Sequence, residues 1–247
     1  MSRPAWVGAV IVAAGGSSRM AGVDKQFAPL AGRPVLHHTV AAFGDSSEVA
    51  AIVVVANPLT LDRVRLICET AAEQKAVAVV PGGARRQDSA ALGLAALEAA
   101  AVAAGADLDI VLVHDGARPL VSSALIARGI AAARQHGAAI ASITVRDTVK
   151  LVGPDGLVLS TPNRDSLRQA QTPQCFAYTL LAAAYKAASE RGLSVTDDAA
   201  LLEALGLPVH TFDGDPRNLK ITTPDDLLLA EAILAVNHTA PSGVLIT

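Results

Sequence analysis

Short runs of apolar residues alternate along this chain with longer segments of helical periodicity. The apolar runs are nearly continuous in Val, Ile and Ala and lack the alternation of strands with one solvated face. Strands have this composition when helices cover both faces of their sheet. The pattern predicts strands over residues 7–12, 52–56, 77–80, 110–114 and 140–145. It predicts helices over residues 34–43, 59–73, 86–104, 122–136, 180–191, 197–205 and 224–236.

Repeated strand–helix units with short links favour a mostly parallel, right-handed sheet. We therefore expect an α/β fold in three layers, with a twisted sheet flanked by helices, in a single domain over residues 1–236. Such sheets bind ligands beyond the carboxyl ends of their strands, and the candidate motifs follow predicted strands. Residues 237–247 show no periodicity and are expected to form a flexible tail.

Composition excludes several classes of protein. The 247 residues are 51% apolar and 17% charged, which excludes an intrinsically disordered chain. A formal net charge of −3 and an aromatic content of 3% argue against a nucleic-acid partner. No membrane partner is expected, because no stretch reaches the roughly 18 continuous apolar residues of a membrane span. Cys68 and Cys175 lie far apart without metal-type spacing, which favours a reducing, cytoplasmic location.

The first apolar run has two interpretations. Arg3 followed by residues 5–14 resembles the basic and apolar regions of a signal peptide. The β-branched residues of this run and its break at Gly15 and Gly16 favour a buried strand that leads into a glycine-rich loop.

The strand–helix pattern breaks between Asp147 and Gln174. Residues 149–152 and 157–160 flank a turn of Gly, Pro and Asp, which predicts a β-hairpin. A two-stranded excursion is marginal by itself and is more stable when it packs on another subunit. The pattern alone leaves a surface hairpin and a dimerisation arm equally open.

The glycine-rich loop after the first strand carries cations. Its small residues let a backbone approach a phosphate or a base, and Arg19 and Lys25 follow at a spacing of six. Neither the GxxxxGK[ST] phosphate loop nor the dinucleotide fingerprint is matched. Taken alone, two solvated cations on a surface loop explain this pair more simply.

Two further segments follow predicted strands. Gly82 and Gly83, with Ser89, suit a flat base held by backbone contacts, although a turn with a polar helix cap explains them equally well. Asp115 ends the fourth strand beside the first loop, where a carboxylate is a natural Mg²⁺ ligand. His114 at the same strand end is interpreted as structural.

The later motifs contain helix-capping residues. Thr196 can cap the helix predicted from residue 197, and Thr223 precedes a Pro at the first position of the last helix. Lys220 lies just before that helix, where a lone Lys is ordinarily a solvated charge.

Together, the order and spacing of these motifs resemble the cytidylyltransferases that make 4-diphosphocytidyl-2-C-methyl-D-erythritol in the non-mevalonate isoprenoid pathway. The resemblance covers residues 7–236 and is carried by AAGGSSRM, DKQ, GGARRQDS, VHDGARP, VRDTVK, QTPQ, TDDA and NLKITTPDDL. The chain departs from the family pattern at Asp24, where Pro is common, and at Ala84, where many relatives have a polar residue. The resemblance implies a Rossmann-like nucleotidyltransferase fold with a protruding hairpin arm.

The resemblance also implies an activity: transfer of a cytidylyl group from CTP to 2-C-methyl-D-erythritol 4-phosphate, with Mg²⁺ as cofactor and release of pyrophosphate. The implied catalytic residues are Arg19, Lys25, Arg164 and Lys220. The implied nucleotide-binding residues are Ala13, Ala14, Gly15, Gly16, Gly82, Gly83, Asp88, Ser89, Asp115 and Ala117, with Asp115 also the metal ligand. The implied acceptor-binding residues are Arg118, Thr148, Arg164, Thr172, Thr196 and Lys220.

Relatives in this family are homodimers in which each arm completes the neighbour's substrate site, so the resemblance favours the arm over the surface hairpin. The attacking phosphate is already anionic near neutral pH, so catalysis is expected to rest on positioning and fixed cations without a general base. Two alternatives remain at this point. One is a ribitol-5-phosphate cytidylyltransferase on the same fold. The other is a non-catalytic nucleotide-binding homologue, which the retained Arg19, Lys25 and Lys220 disfavour.

Overall fold

The structure is a computed structural model and describes residues 3–16 and 24–239. The strands are β1 (Ala5–Ala13), β2 (Pro29–Leu30), β3 (Arg33–Pro34), β4 (Ala51–Ala56), β5 (Ala76–Pro81), β6 (Asp107–Asp115), β7 (Ala138–Thr144), β8 (Leu151–Val152), β9 (Val158–Ser160), β10 (Arg168–Ala177) and β11 (His210–Asp213). The helices are α1 (Val35–Gly44), α2 (Leu61–Ala72), α3 (Arg86–Ala103), α4 (Ser123–His136), α5 (Tyr178–Arg191), α6 (Asp198–Ala204) and α7 (Pro224–Thr239). The seven helices and five strands expected from the sequence are confirmed, with ends that differ by at most three residues.

The principal sheet has the order β11-β7-β10-β6-β1-β4-β5. Every neighbouring pair is parallel except those of β10, which runs antiparallel to both β6 and β7. The expectation of a mostly parallel sheet is therefore confirmed. The N-terminal apolar run forms β1, which lies between β6 and β4, as the strand interpretation predicts.

The sequence pattern did not predict β10. Its first residues are mostly polar and include Pro173, and Pro cannot donate to a strand ladder. The pairing of β10 with β7 shifts register between Ala170 and Gln174, so Pro173 lies in the irregular part of the ladder. The short strands β2, β3 and β11 were also not predicted.

Helices cover both faces of the sheet. Alternate residues of β1 enter different clusters: Ile11 packs with Phe43 of α1 and Ile126 of α4, whereas Val10 packs with Leu97 of α3 and Leu181 of α5. This arrangement confirms the three-layer expectation and explains why the strand sequences are apolar on both faces.

A third, smaller cluster lies under the loops at the carboxyl end of the sheet. It joins Leu30, Val35 and Ala117 to Ile221 and to Ala230 of α7. Because it packs the final loop against the end of β6, this cluster fixes where the site residues of that loop stand.

The ends of α6 and α7 correct two expectations. Asp197, not Thr196, caps α6, and its carboxylate accepts a hydrogen bond from the Ala200 N–H at 3.0 Å. Helix α7 continues to Thr239, and residues 240–247 of the predicted tail lie outside the described residues.

Strands β8 and β9 form the hairpin that the sequence predicts, with Leu151 paired to Ser160. Large apolar side chains are exposed along it: Val149, Leu151, Val152, Leu157, Val158 and Leu159. The hairpin is separate from the principal sheet. Its role as a dimerisation arm stays a prediction.

Cys68 and Cys175 are both buried and free. Across residues 3–16 and 24–239, no helix is both long and apolar enough to cross a membrane.

Gly93 lets α3 approach the sheet closely. A Cβ at this position would lie 2.4 Å from Val10 Cγ1 and 2.7 Å from Val55 Cγ2. We expect Gly93→Ala to lower the free energy of unfolding by about 1–2 kcal/mol in urea denaturation, because overpacking outweighs the gain in helix propensity. Leu92→Ala, on the exposed side of the same helix, should change it by less than about 0.5 kcal/mol. A Gly93→Ala protein as stable as the wild type would contradict this close packing.

Candidate active site

The carboxyl end of the sheet holds a pocket of about 240 Å³. Strands β1, β4, β5 and β6 are mutually parallel, so the loops that follow them meet at this edge. The pocket is lined by Val12, Ala14, Gly15, Gly16, Lys25, Gln26, Gly83, Ala84, Arg85, Arg86, Ser89, Asp115, Ala117 and Lys220. Most of the residues predicted to bind the nucleotide are therefore neighbours here.

A second pocket of about 170 Å³ adjoins the first. Arg86, Asp115 and Lys220 line both pockets. The remaining lining residues are Arg118, Ala170, Gln171, Thr172, Gln174, Thr196 and Asp197. Three residues predicted for the acceptor, Arg118, Thr172 and Thr196, are thus brought together on the far side of Asp115.

Asp115 is surrounded by three cations. Lys220 Nζ lies 2.8 Å from its Oδ2, Arg118 Nε lies 3.5 Å from Oδ2, and Arg86 Nε lies 3.6 Å from Oδ1. Burial alone would raise the pKa of this carboxyl, but the charges of Lys220 and Arg86 hold that pKa well below its usual range. The carboxylate is therefore ionised at any physiological pH and holds Lys220 at the boundary between the pockets.

Thr172 connects β10 to the end of β6. Its hydroxyl accepts a hydrogen bond from the Asp115 N–H at 3.1 Å and lies 3.0 Å from His114 Nδ1. Nε2 of the same ring lies 3.4 Å from the Arg118 carbonyl, which can only accept, so the ring proton is assigned to Nε2 and Nδ1 accepts from the Thr172 hydroxyl. Burial lowers the pKa of His114 to about 3 and keeps the ring neutral. These contacts agree with the structural interpretation of His114.

The loop that carries Lys220 is attached to the same strands. The fully buried Asn218 donates through Nδ2 to the Thr172 carbonyl at 2.7 Å, and its own carbonyl accepts from Arg118 Nη1 at 2.8 Å. The Ile221 N–H donates to the Ala117 carbonyl at 2.8 Å. Lys220 therefore stands between two anchored residues.

Close packing shapes the first pocket. A Cβ on Gly82 would lie 2.3 Å from Ala14 Cβ, and the Gly83 N–H donates to the buried Ser89 hydroxyl at 3.1 Å. Gly82 therefore lies behind the lining and brings the second loop against the first. Two further residues predicted for the nucleotide do not line the pocket: Ala13 is in the core, and Asp88 pairs with Arg85 at 2.6 Å.

The structure separates two predicted acceptor residues from the two pockets. Arg164 donates through Nη1 to the Arg146 carbonyl at 2.9 Å and lines a different surface hollow beside Arg168. Thr148 is exposed at the start of the hairpin segment. The prediction for Arg19 falls outside the described residues.

Arg86 and Gln26 are pocket residues to which sequence reasoning gave no role. Arg86 lines both pockets, but from sequence alone nothing distinguishes it from the adjacent Arg85, which faces Asp88. Gln26 is 3% exposed, and its Oε1 has no hydrogen-bond partner among the described residues. Its only sequence signal is its position after Lys25.

The oxygen atoms of the first pocket fit a divalent cation. No cluster of three or more His, Cys, Asp or Glu occurs within the described part of the chain. Mg²⁺ does not require one, since it commonly takes one or two carboxylates together with substrate phosphates. The Asp115 carboxylate lines this pocket and supplies oxygen donors of that kind.

The Thr172 hydroxyl can be tested by two substitutions. We expect Thr172→Val to lower the free energy of unfolding by about 1–3 kcal/mol, because it leaves the Asp115 N–H and His114 Nδ1 without their partner. Thr172→Ser keeps the hydroxyl and should stay closer to the wild type. Urea denaturation of both variants measures the difference, and a Thr172→Val protein no less stable than Thr172→Ser would show that the hydroxyl is not needed for these contacts.

Comparison with known proteins identifies the family. A family model described as IspD: 2-C-methyl-D-erythritol 4-phosphate cytidylyltransferase matches residues 7–236. The protein of that name from Dehalococcoides mccartyi strain 195 is 45% identical over 92% of this chain and 96% of its own length. Its namesake from Desulforamulus reducens is 46% identical over 92% of this chain and 94% of its own.

Solved structures agree with the sequence relatives. The 4-diphosphocytidyl-2C-methyl-D-erythritol synthase of Anaerococcus prevotii superposes with a TM-score of 0.79 at 32% identity, over 93% of this chain and 96% of that one. The 2-C-methyl-D-erythritol 4-phosphate cytidylyltransferase of Thermus thermophilus gives 0.73 at 36% identity, over 92% and 98%. The expected nucleotidyltransferase fold is confirmed. The chain belongs to the 2-C-methyl-D-erythritol 4-phosphate cytidylyltransferase family.

Proposed function

We propose that this chain transfers a cytidylyl group from CTP to 2-C-methyl-D-erythritol 4-phosphate, giving 4-diphosphocytidyl-2-C-methyl-D-erythritol and pyrophosphate. One observation carries the proposal: two adjoining pockets share Arg86, Asp115 and Lys220 as their common boundary. A transfer between two bound substrates needs this arrangement, because the reacting atoms must meet at the contact between the two sites. The named relatives in the same family support the choice of substrates.

The chemistry of the lining supports a different substrate for each pocket. The first pocket presents Gly15, Gly16 and Gly83, whose backbones a triphosphate and a base can approach closely. The second presents the Arg118 side chain and the Thr172 and Thr196 hydroxyls, which suit a phosphorylated polyol. CTP thus occupies the first pocket and the acceptor the second.

The chemistry needs fixed charge more than proton transfer. A phosphate monoester has its second pKa at about 6 and is a dianion at neutral pH, so it attacks the α-phosphorus without a general base. Two polyanions must approach each other, and charge builds on the departing pyrophosphate. Lys25 lines the CTP pocket, and Lys220, held by Asp115, lies at the boundary where this charge develops. Arg19 joins this cation set in the proposal.

Mg²⁺ completes the proposal as cofactor, with Asp115 as the residue that would hold it. When bound, it neutralises charge on the triphosphate oxygens. The chain's own cations act on the remaining charge.

The proposed assembly is a homodimer that works in the cytoplasm. The hairpin exposes six large apolar side chains, and surfaces of this kind favour burial against a partner. Arg164 and Thr148 lie away from the two pockets of their own chain. A second copy would place these residues at the neighbouring acceptor pocket. The free state of both cysteines is compatible with a reducing compartment.

A pyrophosphate-release assay tests the substrates. With CTP and Mg²⁺, we expect 2-C-methyl-D-erythritol 4-phosphate to be used about 10²-fold more efficiently than ribitol 5-phosphate, in kcat/KM. A preference for ribitol 5-phosphate would contradict the acceptor assignment. CTP binding without pyrophosphate release from either acceptor would identify a non-catalytic nucleotide-binding homologue.

Mixed dimers test both the catalytic cation and the arm. Lys25→Ala should lower kcat by about 10²–10³ while changing CTP affinity far less, because it removes a charge that acts in the transition state. Arg164→Ala should mainly raise the KM for the acceptor. If Arg164 serves the partner's pocket, a heterodimer of the two variants has one intact site, and an equal, randomised mixture assayed well below the acceptor KM should recover about a quarter of wild-type activity.

The unmixed variants are the control for this experiment. If Arg164 serves its own chain, neither site of the heterodimer is intact, and mixing restores nothing. A kcat at the wild-type level for the unmixed Lys25→Ala variant would exclude Lys25 as a transition-state group.

A further inference from the structure

Arg86 links the two sides of the site through a single guanidinium group. It is the first residue of α3, shortly after the loop of Gly82 and Gly83. Its Nε lies 3.6 Å from Asp115 Oδ1, and its Nη1 donates to Asp198 Oδ2 at 2.8 Å. Asp198 begins α6, two residues after Thr196 in the acceptor pocket. The Arg86 side chain thus contacts both Asp115, at the boundary of the two pockets, and Asp198, next to the proposed acceptor pocket.

Asp198 is a rigid anchor for this contact. It is 1% exposed, and its second oxygen, Oδ1, accepts a hydrogen bond from the Tyr185 hydroxyl of α5. Its backbone N–H donates to Gln174 Oε1 at 3.0 Å. A buried carboxylate bonded in this way cannot reorient without leaving a charge uncompensated.

We call residues 193–198 the acceptor segment. Arg86 bonds its last residue, Asp198, and the first turn of α3 also holds its beginning. Gln87, next to Arg86, donates through Nε2 to the Leu193 carbonyl at 3.0 Å and accepts from the Val195 N–H at 3.2 Å. Gln87 is buried. The acceptor segment is therefore attached to α3 at both ends, and Thr196 lies between these attachments.

We propose that Arg86 is a positioning residue, which sets the acceptor segment at a fixed distance from the Asp115–Lys220 pair, with Asp198 and Tyr185 as its anchor. This inference rests on the proposed function and deepens it. A planar guanidinium bonds two carboxylates in fixed directions, whereas the flexible ammonium of a Lys does not reproduce this geometry. Loss of the guanidinium leaves Asp115 paired with Lys220 but removes the bond between α3 and the Asp198 end of the acceptor segment.

The inference makes a selective prediction for kinetics. Arg86→Lys, which keeps the charge, should raise the KM for 2-C-methyl-D-erythritol 4-phosphate about tenfold or more and change the KM for CTP by less than about twofold. Tyr185→Phe removes only the anchor's hydroxyl and lines neither pocket, so it should raise the acceptor KM by a smaller factor. Because both act through Asp198, the double variant should be less impaired than the product of the single effects.

A matched control for Tyr185→Phe comes from the same helix, α5. Tyr178, the first residue of α5, is hydrogen-bonded to Glu98 and has no part in the acceptor segment. Tyr178→Phe should leave both KM values unchanged. Thermal unfolding of all four variants separates positioning from a loss of fold.

Three results would overturn the inference. A rise in the CTP KM for Arg86→Lys, with no effect of Tyr185→Phe, would show that Arg86 contacts the nucleotide directly. Additive effects would show that Arg86 and Tyr185 act independently. A fall in stability without a selective change in acceptor KM would show a structural role alone. A wild-type protein that releases no pyrophosphate would instead contradict the proposed function, and this inference with it.

Discussion

The interaction on which the site depends is the group of cations around the Asp115 carboxylate. Lys220 comes from the loop before α7, Arg118 from the loop after β6, and Arg86 from the start of α3. Each of these segments arrives from a different part of the chain. A single ionised carboxylate therefore holds three cations in place and, with them, the boundary between the two pockets.

Mutual support between neighbouring buried groups keeps this cluster rigid. The strand end that carries Asp115 is bonded to β10 through Thr172, and the Lys220 loop is bonded to the same strand through Asn218. His114 contacts the Thr172 hydroxyl and stays neutral, so it adds no fourth cation to the group. Charge that is fixed before substrate arrives needs no reorganisation during the reaction, which is the physical basis of electrostatic catalysis.

The hydrophobic scaffold explains how a slightly acidic chain can handle polyanions. Net charge describes the whole surface, whereas the two pockets draw their cations from loops at one edge of the sheet. Small residues make this convergence possible, because Gly82 and Ala14 bring two loops into contact and Gly93 lets α3 rest on the sheet. The hairpin does not belong to this scaffold, since its apolar side chains are exposed and not packed in the core.

The sequence by itself determined the elements whose signal is local. Apolar runs specified β1, β4, β5, β6 and β7, helical periodicity specified all seven helices, and the order of the motifs identified the family. Small residues and the strand-end carboxylate also marked most of the first pocket, because close approach and ligand chemistry depend on residue type. Strand β10 was missed, since its polar residues and Pro173 carry no local strand signal and are satisfied only by distant partners. Only the tertiary structure decided that Arg86 faces both pockets while Arg85 pairs with Asp88, and that Arg164 stands apart from Lys220. Such placements depend on contacts between residues up to about a hundred positions apart, which neither periodicity nor composition encodes.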